Sequence, residues 1–428
     1  MTISLAGTLS IFVFLLHAAV KRSFLGAMYL SISAYTLGFI NFTSNGIGVE
    51  YFILIIWISL FLLLTINRMK IKIGNLEWTW LAIVIVSFLW HSLVNEQIIL
   101  TEFNTKLSGA MSITEINTFS FSFLLKSTSI IFYVLTILSM RYLLKDAESK
   151  DVLMLLLNIC TFLSVTAILD LFLPTDFIWS VLKDHASFPV EIGAVIAASG
   201  ALRITGLTVE PSHLVVFSGI GIIGSVVLWY SKLYAKAMLY LGLNLSAFFF
   251  SGSLSIVFFL FSIFLLIIKL SSNGKLGILY GVIIVFIIIA FQLENLIANI
   301  LIKLDISNIE NSLRLNSMLQ AVLLSFEYPL FGVGLGNVKL PLGFILYTAA
   351  SLGWISCILL LSVYCRLLLK AFKASTTNYD FGIVATSLSI FLMCLFTKGA
   401  QFIFSPYITI LFCSIFVVMD KKHQQEFS

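Results

Sequence analysis

Hydrophobic residues in this chain gather into long unbroken runs, and the polar positions gather into the stretches between them. A helix that crosses about 30 Å of hydrocarbon needs about 20 predominantly apolar residues. Runs of that order recur near residues 3–20, 24–41, 50–66, 77–94, 121–139, 152–173, 212–230, 235–250, 253–268, 276–291, 343–365, 381–397 and 404–419. They predict an all-α fold, a polytopic transmembrane helical bundle of about 12–13 spans, with residues 1–428 forming a single integral membrane domain. The first run, Ile3 to Val20, has no preceding Lys or Arg and passes directly into Lys21 and Arg22, the pattern of a retained helix rather than a cleaved leader. The sequence has no internal repeat, which argues against an inverted-repeat transporter.

Composition removes the soluble alternatives. At 60% hydrophobic and 11% charged, with a mean hydropathy of +1.08, the chain holds more apolar side chain than a soluble domain has interior for. Cys160, Cys357, Cys365, Cys394 and Cys413 all fall in apolar segments without a CxxC pair or a His at ligand spacing, so they read as small core hydrophobes. Charge sets the orientation. Lys21/Arg22, Arg68/Lys70/Lys72, Arg141/Lys145/Lys150, Lys232/Lys236, Lys269/Lys275, Arg366/Lys370/Lys373 and Lys421/Lys422 fall in alternate connections or at the C-terminus. These 17 of 25 cations mark the cytoplasmic side, leaving the side of the N-terminus open. The opposite connections, near 95–120, 174–211 and 292–342, are longer and poorer in cations, which makes them candidate functional loops.

The last of these is predicted to be partly helical. Leu293, Leu296, Ile297, Ile300, Leu301 and Leu304 recur at helical spacing, as in a helix lying in the membrane interface. Ser307 and Glu310 have capping-box spacing and predict a second helix to about Phe326, with Arg314 on it. Arg314 either pairs with Glu310, contributing about 0.3 kcal/mol, or binds a ligand. Tyr328-Pro329-Leu330-Phe331-Gly332-Val333-Gly334-Leu335-Gly336-Asn337 follows. Gly332, Gly334 and Gly336 allow a tight turn whose amides are expected to face an anion. The middle outer loop ends in Arg203-Ile204-Thr205-Gly206-Leu207-Thr208-Val209-Glu210-Pro211-Ser212-His213. Pro211 suits the first turn of the next span, whose free amides would lie near Arg203 and favour a phosphate. Glu210 is either a general base or a carboxylate stabilising the helix dipole; His213 is either an auxiliary group or a packed core residue.

RITGLTVEPSHL before one span, the Ser251-Gly252-Ser253 turn, and RLNSMLQAVLLSFEYPLFGVGLGN before another resemble the polysaccharide polymerase and ligase superfamily, Wzy-type O-antigen polymerases and WaaL-type O-antigen ligases. The resemblance covers roughly residues 200–370. It implies glycosyl transfer at the periplasmic face of the bacterial inner membrane, using oligosaccharides carried on undecaprenyl diphosphate, with 174–211 and 292–342 as periplasmic loops. By the same resemblance Arg203 and Arg314 bind the diphosphate. Membrane lipids, a chain-length regulator and a flippase are the implied partners, with no nucleic acid and no cofactor. Ligases place a His after the Gly-rich turn, where this chain reads Lys339-Leu340-Pro341-Leu342-Gly343-Phe344, so the expectation is a polymerase. The SGSLS turn offers no third cation, where relatives often carry an Arg after the Ser.

The chemistry needs no metal: preorganised guanidinium groups and amides hold the leaving diphosphate, and no DxD-like pair suggests a nucleotide-sugar metal site. Glu210 is the carboxylate closest in sequence to either arginine; Asp176, Asp184, Glu191 and Glu327 are substitutes. An O-antigen ligase or another exported-polysaccharide polymerase is the alternative, or, in a different class, a transporter or flippase of the same glycan or another anion. Transport would call for cations within spans, and Lys126, the main one, lies near an outer end where it can snorkel. Trp179, Phe188 and Tyr328 either stack on sugars or pack at the interface.

Overall fold

The computed structural model describes residues 73–94, 97–103, 111–144, 147–172, 202–204, 211–251, 256–271, 309–337, 343–396 and 406–425, with a few shorter stretches and single positions between them. The expected spans at 3–20, 24–41, 50–66 and 276–291 and the interfacial helix near 293–304 lie largely or wholly outside the described residues. The rest form an all-α polytopic bundle: α1 (Asn75–Leu93), α2 (Phe121–Leu143), α3 (Ser149–Leu169), α4 (Pro211–Tyr230), α5 (Tyr234–Phe250), α6 (Ile256–Leu270), α7 (Ile309–Glu327), α8 (Phe344–Ala374), α9 (Asn378–Phe396) and α10 (Pro406–Gln425). Six of the described helices are long and apolar enough to cross a membrane, so this is a multi-pass membrane protein. α5 and α6, with 17 and 15 residues, are the shorter pair joined by the Ser251 turn.

Spans begin where the sequence supplies a cap. Ser120 caps α2 by accepting from the Phe123 amide at 3.1 Å. Thr377 and Asp380 form a reciprocal capping box at the start of α9: the Asp380 amide donates to Thr377 Oγ1 at 3.2 Å, and the Thr377 amide donates to Asp380 Oδ2 at 2.9 Å. Ser149, first residue of α3, donates to the other oxygen of Asp380 at 2.5 Å and so fastens α3 to α9.

α3, α4 and α5 pack together, α6 lies on α9, and α8 touches α1, α7, α9 and α10. The centre is aromatic. Trp80 of α1 donates its indole N–H to the Tyr364 hydroxyl of α8 at 3.1 Å and meets Tyr133 edge-on, so large apolar rings are buried without stranding their polar ends. Between α3 and α5, Asn244 accepts from Ser164 at 2.9 Å and donates to Thr161 at 2.7 Å, a satisfied polar link of the kind a lipid-embedded bundle requires. At the end of the bundle marked cytoplasmic by its charges, fully buried Glu77 is paired with Arg141 at 2.9 Å, and the guanidinium also lies over the Phe416 ring.

The outer connection near 95–120 contains an element the hydrophobic pattern does not predict: an antiparallel hairpin of β1 (Gln97–Phe103) and β2 (Met111–Asn117). Its Ile- and Thr-rich strands suit a pleated surface. They are too short to register against the long apolar runs on either side.

Candidate functional site

Two elements carry the candidate residues. Each is fixed to the bundle by backbone hydrogen bonds.

The first is the Arg203 loop. Leu202–Arg203 pairs with Val195–Ile196 as a two-residue antiparallel bridge. The Ile204 amide donates to the Phe250 carbonyl at 3.3 Å, next to the Ser251 turn, so two of the three segments singled out in the sequence are neighbours. Ile204 is buried with Ala167, Leu214 and Ala247. At Gly206 the backbone is left-handed, with φ +56°, and a Cβ there would fall 2.7 Å from the Ala167 Cα. That close approach allows the Gly206 amide to donate to Asp170 Oδ2 at 2.7 Å, at the C-terminus of α3. Thr208 is buried as well. α4 then begins at Pro211, as the sequence predicts, so its first turn follows directly after this anchored loop. The side chain of Arg203 and all of Glu210 lie outside the described residues.

His213 is on the first turn of α4 and is 2% exposed. Its Nδ1 is hydrogen-bonded to the Tyr407 hydroxyl of α10, and the two rings are nearly parallel with centroids 5.5 Å apart. Of the two roles open for it, the packed core histidine is the one described by these contacts.

The second element is the glycine turn. α7 (Ile309–Glu327) is the helix expected from Ser307 and Glu310; it carries Arg314, whose side chain lies outside the described residues, and it packs on α8. α8 is broken at Gly353, where φ is +81° and ψ is +166°. A break inside a span leaves backbone groups that lipid cannot satisfy. Here the turn satisfies them: the Val333 amide donates to Ala350 O at 2.9 Å, the Gly334 amide to Ser351 O at 3.0 Å, and the Trp354 amide to Pro329 O at 2.8 Å. The contact is backbone against backbone. A Cβ on Gly332 would collide with Ser351 and Leu352, and one on Gly353 with Leu330. Gly332, Gly334 and Gly336 all have positive φ, at +64°, +93° and +81°.

This corrects one expectation. The Gly332 amide donates to Tyr328 O and that of Gly334 to Ser351 O, so neither faces an anion. Glycine is required at 332 and 353 because chain passes against chain, and the alternating spacing alone cannot separate that cause from phosphate binding. The Gly336 backbone meets the Tyr347 hydroxyl.

Asn337, last residue of the turn, is the anchor that sequence reasoning left without a role. It is 2% exposed, accepts from Ser120 Oγ at 2.5 Å, and donates to Val333 O at 2.8 Å and Thr118 O at 3.2 Å. Asn337 thereby ties the turn to the start of α2, and the backbone bonds of Val333, Gly334 and Trp354 tie it to α8. Asp170 and Tyr407 also went unremarked, although Asp170 is a lone carboxylate at the end of an apolar run. Trp179, Phe188, Asp176, Asp184 and Glu191 lie outside the described residues. Tyr328 is half-buried against the core. Among the described residues no group of three or more His, Cys, Asp or Glu side chains could hold a metal ion.

The arrangement offers two anchored elements, one leading from Arg203 to the N-terminus of α4 and the other joining the end of α7 to the break in α8. No model of a known protein family, no curated protein and no solved structure matches this chain.

Proposed function

We propose that the protein is a polysaccharide polymerase of the O-antigen type, a metal-independent glycosyltransferase. It transfers a glycan chain from undecaprenyl diphosphate onto a lipid-linked repeat unit at the periplasmic face of the bacterial inner membrane. The observation that carries the reading is the Arg203 loop, held through Ile204 and Gly206 against α5 and α3 and running directly into the N-terminus of α4 at Pro211. A guanidinium and the free amides of a helix start converge on one anion better than either does alone. In this mechanism Arg203 and Arg314 hold the diphosphate. The acceptor hydroxyl attacks the anomeric carbon, the bond from that carbon to the diphosphate oxygen breaks with its electron pair leaving on the diphosphate, and Glu210 takes the hydroxyl proton. Gly332, Gly334 and Gly336 support the site through the fold, and His213 braces the α4 terminus through Tyr407.

The break in α8 favours a second reading, transport, because discontinuous helices line the binding sites of many transporters. Against it, the Ala350 and Ser351 carbonyls and the Trp354 amide at the break already have partners within the chain.

The test is the surface glycan ladder of cells lacking this gene and complemented with wild type, Arg203→Ala or Arg314→Ala at equal membrane levels. A polymerase leaves a single repeat unit on the lipid core when deleted, and only wild type restores the ladder. Polymer accumulating on its lipid carrier with no repeat attached indicates a ligase; an unchanged ladder rejects glycan assembly altogether.

A further inference from the structure

A cleft of about 250 Å³ opens between α6, the end of α8 and the start of α9. Among the described residues its walls are almost wholly apolar, formed by Leu265, Leu369, Phe372, Phe381 and Ala385 among others, and the charged one among them is Lys269. The Lys269 ammonium sits 5.0 Å from the Phe381 ring centroid and 5.7 Å from that of Phe372. The two rings hold the cation at the rim through their quadrupoles while its side chain stays exposed. Arg366, Lys370 and Lys373 are exposed and share one face of α8 with the cleft residue Leu369, at i, i+3, i+4 and i+7. Among the described residues no carboxylate lines the cleft, and the nearby Asp380 is taken up by Ser149, Thr376 and Thr377. All four cations belong to connections that the charge pattern assigns to the cytoplasmic side.

We propose that this cleft binds an anionic phospholipid of the cytoplasmic leaflet, with one acyl chain between α6, α8 and α9 and the headgroup phosphate on Lys269. The space between the three helices is of the size of a single hydrocarbon chain. A basic rim over an apolar gap between spans, on the side where anionic lipids face the cytoplasm, is the arrangement that selects a lipid by charge as well as by chain. The site is independent of the glycan reading: it lies at the opposite membrane face and uses none of the same residues.

The experiment is native mass spectrometry of the full-length protein in neutral detergent, titrated separately with phosphatidylglycerol and phosphatidylcholine. Wild type should retain phosphatidylglycerol about fivefold more strongly than phosphatidylcholine, and Lys269→Gln should remove about that factor. Lys269→Arg should preserve it, Ala385→Trp should reduce retention of both lipids by filling the cleft, and Lys126→Gln at the other face should change nothing. Thermal unfolding of each variant identifies a folding defect; if Lys269→Gln melts early, the comparison of Lys269→Arg with Ala385→Trp decides. Equal retention of the two lipids by wild type, or phosphatidylglycerol binding insensitive to both Lys269→Gln and Ala385→Trp, overturns the proposal.

Discussion

Replacing Gly353 by Ala places a methyl group where α8 is broken, and the structure sets the size of the effect. With φ +81° and ψ +166°, this residue sits in a region open essentially to glycine, so an L side chain costs about 1–3 kcal/mol in backbone strain. The new Cβ also meets the carbonyl of Leu330, whose neighbour Pro329 accepts from Trp354. Relief of that collision requires the turn to withdraw. Withdrawal endangers three hydrogen bonds, Val333 to Ala350, Gly334 to Ser351 and Trp354 to Pro329, each contributing about 1 kcal/mol net. The expected loss is therefore about 2–5 kcal/mol. The matched control is Gly242→Ala in α5, where a Cβ meets nothing within 4 Å; there alanine should be neutral or stabilising by up to about 1 kcal/mol. Thermal unfolding of the two purified variants in one detergent makes the comparison. If Gly353→Ala melts together with Gly242→Ala, the account of the break as a glycine-dependent backbone junction is wrong.

Two further outcomes follow from buried partners. Arg141→Ala strands the fully buried Glu77 carboxylate and should cost about 3 kcal/mol, whereas Glu77→Leu combined with Arg141→Met should recover most of it; equal melting of the single and double variants in a thermal scan would contradict this. Tyr407→Phe deprives His213 of its hydroxyl partner and should lower stability by about 1–3 kcal/mol while leaving a normal glycan ladder at matched membrane levels. A lost ladder in a stable Tyr407→Phe protein would instead assign His213 a part in the chemistry.

The bundle was legible in the sequence because lipid imposes one requirement, a run of apolar residues as long as the membrane is thick, and α1 to α4, α8 and α9 meet it plainly. The start of α4 at Pro211 and the extent of α7 were legible too, since proline and capping residues act within one turn. The break in α8 was not. Gly353 is one glycine in an apolar run, and what makes it a break is the chain returning from Pro329 to Gly334, a tertiary contact. The glycine turn was found but given the wrong partner for the same reason: positive φ is visible in the residue type, while the identity of the acceptor is not. Asp170, Asn337 and Tyr407 work through groups 36, 217 and 194 positions away, beyond any local pattern.

The two fastenings of the glycine turn have consequences for the order of assembly. Its bonds to α8 join residues separated by no more than 25 positions, so closing that loop costs little chain entropy and is available as soon as this stretch of chain has emerged. The tie from Asn337 to Ser120 spans 217 positions and requires the intervening spans to be inserted and gathered first. The C-terminal hairpin of α7, turn and α8 is thus built to mature early as a local unit. On this entropy argument the bond from Asn337 to Ser120 closes last, joining that unit to the start of α2.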